Sequence, residues 1–223
     1  MKTIKLFAIA AMICAGTSMV KAQTSKFVSD TKEWQSFYVQ YNPMTLGYST
    51  NVDDRSFNGF TIGYNKAIGI VRSTPLFIEI GVAGQAAFYT NDDNNNWDFK
   101  YSLVSLKVPV SLVYKWSVSN NVAILPYAGL TAKYHVVGNL KREYTGSSQS
   151  YDEDYEKTLN LFDKKDMGDK NSTWHRFQLG YQIGVNVMFN NRWHLGLGYG
   201  KDFSDIVKKG KFSTVSITAG VDF

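Results

Sequence analysis

Three histidines, His135, His175 and His194, are the side chains best suited to acid–base or metal chemistry near neutral pH. The two-residue periodicity around them places His135 and His194 in one phase and His175 in the other. His135 and His194 fall towards opposite ends of their segments, so the spacing predicts neither an acid–base pair nor a metal site. No catalytic serine stands out among the many serines of the alternating segments, and we expect no enzymatic activity.

Residues 91–96, Asn-Asp-Asp-Asn-Asn-Asn, are rich in the oxygen ligands that Ca²⁺ prefers. They lack the spacing of a known calcium loop, which favours a solvated loop tip over a metal site. The chain also lacks a glycine-rich phosphate-binding motif. We therefore expect no metal and no cofactor.

Several charged side chains lie in the polar phase of alternating segments. Glu79 and Lys107 fall on neighbouring segments at near-opposite or diagonal positions, and Arg176 is predicted to approach Asp202 or Asp205, with Lys133 close by. Because a buried charge is costly unless it is paired, we expect a polar plug inside the fold that consists of Glu79, Lys107, Lys133, Arg176 and Asp202. The alternative is a narrow path for ions or small solutes.

The elements that position these residues are eight segments in which apolar and polar residues alternate, the signature of β-strands. At the C-terminus the apolar phase consists of Val215, Ile217, Ala219, Val221 and Phe223. The predicted strands are 34–48, 60–70, 76–88, 104–116, 122–140, 176–189, 193–203 and 211–223.

The predicted connections alternate between short and long. Residues 71–75, 117–121 and 190–192 make short turns, whereas 49–56, 91–98, 141–173 and 204–210 make polar and mostly longer loops. This asymmetry is typical of an up-and-down antiparallel barrel in an outer membrane, with short periplasmic turns and longer outer loops. We expect residues 141–173, which are acidic and rich in tyrosine, to be mobile and exposed, and they are the candidate site for an unidentified extracellular ligand.

Side-chain bulk indicates which face meets lipid. An eight-stranded barrel has an interior only just wide enough for side chains to fill. The large apolar phase would overfill it, which argues against a soluble lipocalin-like barrel, so we expect that phase to point outwards. The predicted aromatic girdles agree: Trp116, Phe189 and Trp193 fall at the short-turn rim, and Tyr199 and Phe203 fall towards the long-loop rim.

Residues 1–22 have the features of a cleaved secretory signal peptide: Lys2 and Lys5, an apolar run, and Val20-Lys21-Ala22 before the cut. The run is too short for the roughly 20 apolar residues of a spanning helix. Its removal deletes three lysines and no acidic residue, so the formal charge falls from +5 to +2, and nucleic-acid binding loses its support. It also removes Cys14, the only cysteine. Residues 23–33 are then predicted to be a periplasmic segment and 34–223 the barrel domain.

The terminal pattern of residues 215–223, together with the stretches 56–64 and 106–110, resembles the outer-membrane β-barrel domain family, the small OmpA/OmpX-type barrels of the porin-like class. The resemblance covers residues 34–223. It implies a bacterial outer-membrane location, contact with outer-membrane lipid, and assembly by periplasmic chaperones and the barrel-assembly machinery, which reads the C-terminal aromatic Phe223. It also implies a structural or surface-interaction role through the outer loops, with a small pore as the alternative and a lipid-modifying enzyme as a weaker one.

Overall fold

The computed structural model describes residues 32–49, 54–70, 74–93, 97–144, 156–169 and 172–223. The predicted signal peptide and nearly all of the predicted periplasmic segment lie outside the described residues. The elements are β1 (Trp34–Tyr48), β2 (Arg55–Gly69), β3 (Leu76–Asp93), β4 (Trp97–Tyr114), β5 (Trp116–Ser119), β6 (Val122–Tyr144), β7 (Glu156–Asn160), α1 (Lys164–Met167), β8 (Phe177–Phe189), β9 (Trp193–Asp202) and β10 (Gly210–Asp222).

The eight long strands form a closed antiparallel barrel. Each pairs with its neighbours along the chain, and β1 pairs with β10 to close the ring. At this seam the backbone N–H and C=O groups of Gln35 and Phe223 exchange two hydrogen bonds of 3.0 and 2.9 Å. The short strand β5 forms a hairpin with the start of β6, and β7 pairs with the far end of β6. The predicted eight-stranded up-and-down architecture is confirmed.

In the middle of the long strands, the large apolar side chains point away from the barrel axis. Val110, Ile183 and Leu197 are 42%, 43% and 60% exposed, whereas Gln178 and Thr218, in the alternate phase, are buried. The same contrast holds on all eight long strands, so a continuous apolar belt surrounds the barrel. Among the described residues, no helix is both long and apolar enough to cross a membrane.

Three neighbouring strands, β3, β4 and β6, project beyond the belt at the long-loop rim. They contain 18, 18 and 23 residues, against 13, 10 and 13 in β8, β9 and β10. The outward apolar row ends at Phe88, Val104 and Val137. We call the part above it (residues 89–93, 97–102 and 139–144, with β7) the outer flange. The predicted loop 91–98 is therefore wrong for most of its length, because β3 continues to Asp93 and β4 begins at Trp97.

Residues 141–173 are exposed as expected at most of the described positions between 156 and 169, but part of the segment forms secondary structure that the sequence did not predict. Its mobility stays a prediction. β7 pairs with β6, and a four-residue helix, α1, follows. Leu159 and Leu161 are buried, as is Trp174 just after the segment. The chain therefore folds back over the barrel mouth, because burying these apolar side chains removes them from water. Residues 145–155, which include the acidic run, lie outside the described residues.

The barrel interior, here called the lumen, contains more bulky apolar residues than the sequence predicted. The outer cluster closes the long-loop end and consists of Met44, Leu46, Phe57, Ala87, Tyr101, Leu103, Leu140, Leu159, Leu161, Trp174, Ile206, Val207 and Phe212. The inner cluster closes the short-turn end and consists of Trp34, Ala67, Phe77, Val113, Ala123, Leu125 and Met188. Polar side chains occupy the level between the two clusters.

Candidate functional site

The polar middle of the lumen contains one close ion pair. Lys133 Nζ on β6 lies 2.7 Å from Asp202 Oδ2 on β9, and both side chains are almost fully buried. The intervening strand is β8, so the pair reaches past a neighbouring strand. Of the predicted polar plug, these two residues are brought together as expected, because alternation placed both in the inward phase near the same end.

The predicted proximity of Glu79 and Lys107 is wrong in its details. Lys107 is opposite Ala83 on β3, whereas Glu79 is opposite Ser111, so the two side chains are four positions apart along the ladder. Asn65 Nδ2 donates a hydrogen bond of 3.0 Å to Glu79 Oε1. Both charged residues line a cavity of about 30 Å³ in the middle of the lumen.

Among the described residues, Arg176 pairs with neither Asp202 nor Asp205, which bind Lys133 and Lys211. The Arg176 Nη1 atom donates hydrogen bonds of 3.0 and 2.9 Å to the carbonyl oxygens of His135 and Val136, and its guanidinium lies 4.3 Å from the Phe162 ring. The physical reason is a bulge, where the register between β4 and β6 shifts and leaves Val136 without a partner in the ladder. Arg176 binds the carbonyl groups next to this irregularity.

The histidines lie apart. Inside the lumen, His135 Nδ1 is 2.6 Å from Ser105 Oγ in the outer half, and His194 Nδ1 is 2.8 Å from Asp222 Oδ1 near the short-turn end. His175 is exposed. Ser36 Oγ donates to the same Asp222 oxygen at 2.6 Å. This serine bonds the carboxylate and not the imidazole, so the group does not have the nucleophile-to-base arrangement of a hydrolase triad.

The predicted assembly signal lies on the outward phase of β10. Val215, Ile217, Ala219 and Phe223 are exposed, and Val221 is half-buried. The Phe223 ring stacks on Phe37 of β1 with centroids 5.7 Å apart.

The five predicted girdle residues are all exposed on the outside of the barrel. Trp116, Phe189 and Trp193 lie at the short-turn end, and Tyr199 and Phe203 lie towards the long-loop end. Their placement agrees with the two-belt prediction. Whether they contact membrane interfaces stays a prediction.

A second cavity, of about 290 Å³, lies on the lumen-facing side of the outer flange, and we call it the flange groove. It is lined by Arg55, Tyr89, Asn91, Phe99, Tyr101, Leu140 and Arg142. These residues continue the inward phase of their strands above the belt. On β6 the bulge at Val136 shifts the phase by one, so that Leu140 and Arg142 share the inward side.

Two guanidinium groups border the groove. Arg55 Nη1 donates a hydrogen bond of 2.8 Å to Tyr101 Oη, and its Cζ atom lies 5.1 Å from the centre of that ring. The Arg142 Cζ atom lies 5.9 Å from the centre of the Phe99 ring. Within the described part of the chain, neither arginine forms an ion pair with a carboxylate.

The cations on the other side of the flange are arranged differently. Lys100 Nζ lies 2.8 Å from Glu143 Oε2, and Lys141 Nζ lies 3.0 Å from Glu156 Oε1. The hydrogen bond from Lys100, with the charges of Lys100 and Lys141, lowers the pKa of the Glu143 carboxyl. These lysines are thus paired with carboxylates, whereas the two arginines of the groove have no carboxylate partner among the described residues.

Sequence reasoning missed the flange groove because it assigned Arg55 and residues 91–98 to loops and placed Arg142 in the mobile segment. A signal was present. Tyr89 and Asn91, and likewise Phe99 and Tyr101, continue the two-residue period past the apolar belt.

Several solved structures are similar to this chain. The attachment invasion locus protein Ail of Yersinia pestis, in complex with the heparin analogue sucrose octasulfate, is 13% identical over 86% of this chain and 99% of its own, with a TM-score of 0.46. A major outer membrane protein from Thermus thermophilus is 12% identical over 86% and 100%, with a TM-score of 0.46. Neisserial surface protein A is 14% identical over 86% and 97%, with a TM-score of 0.42. No curated protein matches the chain. The model of the family described as "Outer membrane protein beta-barrel domain" matches residues 8–223, and the chain therefore belongs to that family.

Proposed function

We propose that this protein of the bacterial outer membrane is a closed barrel that acts through its extracellular surface and does not conduct solutes. The observation that carries the proposal is the closure of the lumen by an apolar cluster at each end. Hydrated ions cross an apolar constriction poorly, because such a constriction offers them nothing to replace their water shell.

The middle of the lumen supports the same conclusion. Its cavity of about 30 Å³ has room for one or two water molecules and is not a continuous channel. Side-chain contacts inside the lumen also reach past an intervening strand: Lys133 binds Asp202, and Gln182 Nε2 on β8 donates a hydrogen bond of 2.9 Å to Ser111 Oγ on β4. A side-chain network of this kind fixes the strands relative to one another.

We propose no catalytic activity for this protein. The Ser105–His135 pair and the Ser36–Asp222–His194 group are both buried inside the lumen, where a lipid or saccharide substrate has no route to them. A serine that is to act as a nucleophile needs its base on one side and an accessible substrate on the other.

The outer flange supports a surface-interaction role. It extends three strands beyond the belt and carries the flange groove on its lumen-facing side. Rigid strands that project from a membrane barrel present side chains to the medium without a large loss of conformational entropy on binding.

Planar-bilayer recording tests the closed lumen. The protein is refolded in detergent, its folded state is checked by the shift in gel mobility on boiling, and it is added to the bilayer beside a large-lumen porin as positive control. We expect no conductance steps from the folded protein. Reproducible unitary steps at matched folded concentrations would favour the pore alternative and reject the proposal.

Site-directed labelling tests which rim faces outwards. Ser119 lies at the short-turn end and Lys141 on the outer flange, and both side chains reach solvent. We expect a membrane-impermeant maleimide to label Lys141→Cys on intact cells, and to label Ser119→Cys only after the outer membrane is permeabilised. The reverse pattern would place the flange in the periplasm and remove the basis of the surface role.

A further inference from the structure

We propose that the flange groove binds one sugar unit that carries a carboxylate or phosphate group, as part of a soluble acidic saccharide outside the cell. The inference deepens the proposed surface role and rests on it.

The charge of the groove calls for an anion. Arg55 uses one guanidinium N–H group on Tyr101, and among the described residues no carboxylate pairs with Arg55 or Arg142. The lysines of the opposite side, by contrast, are held by Glu143 and Glu156. The planar fork of arginine matches the oxygen spacing of a carboxylate or phosphate group, and the pair of guanidinium groups offers such a group two sets of donors.

The shape of the groove suits a single ring. Its volume of about 290 Å³ is at the low end for small-molecule sites. Tyr89 and Phe99 supply apolar ring surfaces, and the buried Tyr101 forms the floor beside them, with the centres of the Tyr89 and Tyr101 rings 5.8 Å apart at an angle of 41°. Aromatic faces of this kind pack against the C–H face of a pyranose, while Asn91 offers both a donor and an acceptor to ring hydroxyl groups.

The position of the groove favours a soluble saccharide over a membrane lipid as the carrier of the acidic sugar. Its lining residues belong to the lumen-facing phase of their strands, so the groove faces the barrel mouth and not the lipid that surrounds the belt. Below it, Tyr101 stacks on Trp174 with centroids 6.0 Å apart, and Leu140 is buried in the outer cluster. A ligand therefore enters from the medium, rests on the outer cluster and goes no further.

The experiment uses the full barrel in detergent micelles and three probes: D-glucuronate, D-glucose 6-phosphate and neutral D-glucose. Binding is measured by saturation-transfer NMR and by calorimetry. We expect both charged sugars to bind at least about tenfold more tightly than glucose, because hydrogen bonds to charged groups are the stronger ones. Equal binding of all three sugars, or no binding of the charged ones, would overturn the proposal.

Two neighbouring residues give matched variants. Arg142→Gln removes a charge from the groove, and Lys141→Gln removes the same charge from the opposite side of the strand. We expect Arg142→Gln to weaken charged-sugar binding at least about tenfold and Lys141→Gln to change it less than about twofold. Phe99→Ala should weaken binding of all three sugars. Equal losses from the two charge variants would show non-specific attraction and overturn the site.

A second binding experiment tests whether the acidic sugar is carried by a lipid. In it, lipopolysaccharide in vesicles replaces the free sugars. Binding of the vesicles that Arg142→Gln abolishes, without any binding of the free charged sugars, would overturn the soluble source. Conductance is recorded on the same preparation. A silent barrel that binds no sugar rejects this inference alone, whereas a conducting barrel rejects the proposed function.

Discussion

Lys133 on β6 and Asp202 on β9 form an ion pair of 2.7 Å inside the lumen, with only 7% and 4% of their side chains exposed. A buried pair of this kind is costly to break, because removal of one partner leaves the other charge without compensation in a medium of low polarity. The Lys133 ammonium also lies 6.0 Å from the centre of the Phe212 ring, so the pair lies directly beneath the outer cluster.

We expect Asp202→Asn to lower the free energy of unfolding by about 3–5 kcal/mol, measured by urea titration of the barrel in detergent. The paired change Lys133→Met with Asp202→Leu should recover most of the loss, because neither charge then remains buried. The exposed pair of Lys211 and Asp205, 3.6 Å apart, is the control, and Lys211→Met should cost less than about 1 kcal/mol. A similar loss at both sites would show that burial does not set the strength of the inner pair.

Glycines of the inward phase make room for tyrosines inside the lumen. A Cβ atom placed on Gly63 would lie 2.5 Å from the Tyr38 ring and 2.7 Å from Ala83 Cβ. We therefore expect Gly63→Ala to destabilise the barrel by about 1–3 kcal/mol through overpacking. Gly84 is the matched control, because it faces outwards on the neighbouring strand with nothing within 4 Å of an added Cβ atom. Gly84→Ala should leave the urea midpoint unchanged or raise it slightly, and equal effects of the two changes would contradict the packing argument.

The apolar belt could be predicted from sequence because lipid-facing side chains are apolar and recur at every second residue of a strand. Val110 and Leu197 follow this pattern. Inside the lumen, the polarity of the side chains changes with their position along the barrel axis. Phe57 and Phe212 lie in the same inward phase as Lys133 and Thr218, yet the first two belong to an apolar cluster and the others to the polar middle. The two-residue period therefore identifies the inward-facing residues but not their position along the barrel axis.

Contacts between strands depend on their register. The sequence specifies register less directly than it specifies whether a side chain points inwards or outwards. Glu79 and Lys107 were correctly expected on neighbouring strands and in the inward phase, but counting from the loop between them could not give the pairing of Glu79 with Ser111. The partner of Arg176 depends on the bulge at Val136, and the predicted strand 122–140 did not include this bulge. The flange groove was missed for a different reason: its strands continue past the apolar belt into residues that were predicted to be loops.

Replacement of Phe223 should reduce assembly in the membrane more strongly than it reduces the stability of the folded barrel. The Phe223 side chain is 61% exposed, and among the described residues its ring contacts only that of Phe37. We expect Phe223→Ala to reduce the amount of heat-shifting barrel in isolated outer membranes severalfold, because the C-terminal aromatic is the expected recognition signal for assembly. The purified variant, refolded in detergent, should lose only about 0.5–1.5 kcal/mol, the contribution of the ring pair.

Phe37→Ala is the matched control for this prediction. It removes the same ring contact from the other side, together with the contact between Phe37 and Tyr64, and leaves the C-terminal residue intact. We expect it to lower stability at least as much as Phe223→Ala does, while the yield in membranes stays near that of the unaltered protein. Equal losses of yield from the two variants would mean that the ring pair, and not the terminal signal, limits assembly.

The closing seam of the barrel is held by a polar group shared among three strands. Asp222 Oδ1 on β10 accepts hydrogen bonds from Ser36 on β1 and His194 on β9. All three side chains are buried near the short-turn end. We expect Asp222→Ala to lower the free energy of unfolding by about 1–3 kcal/mol for each donor that it leaves unpaired, with a matching fall in the temperature of the gel-mobility shift.

A double-mutant cycle with Ser36→Ala shows whether the carboxylate acts as the shared acceptor. Ser36→Ala alone removes one donor and leaves the bond to His194, so it should cost less than Asp222→Ala. In the Asp222→Ala background the same change should cost little, because the hydroxyl group has already lost its acceptor. Additive losses would mean that the two residues stabilise the seam independently. The first and last strands would then be held together by the backbone ladder that ends at Gln35 and Phe223.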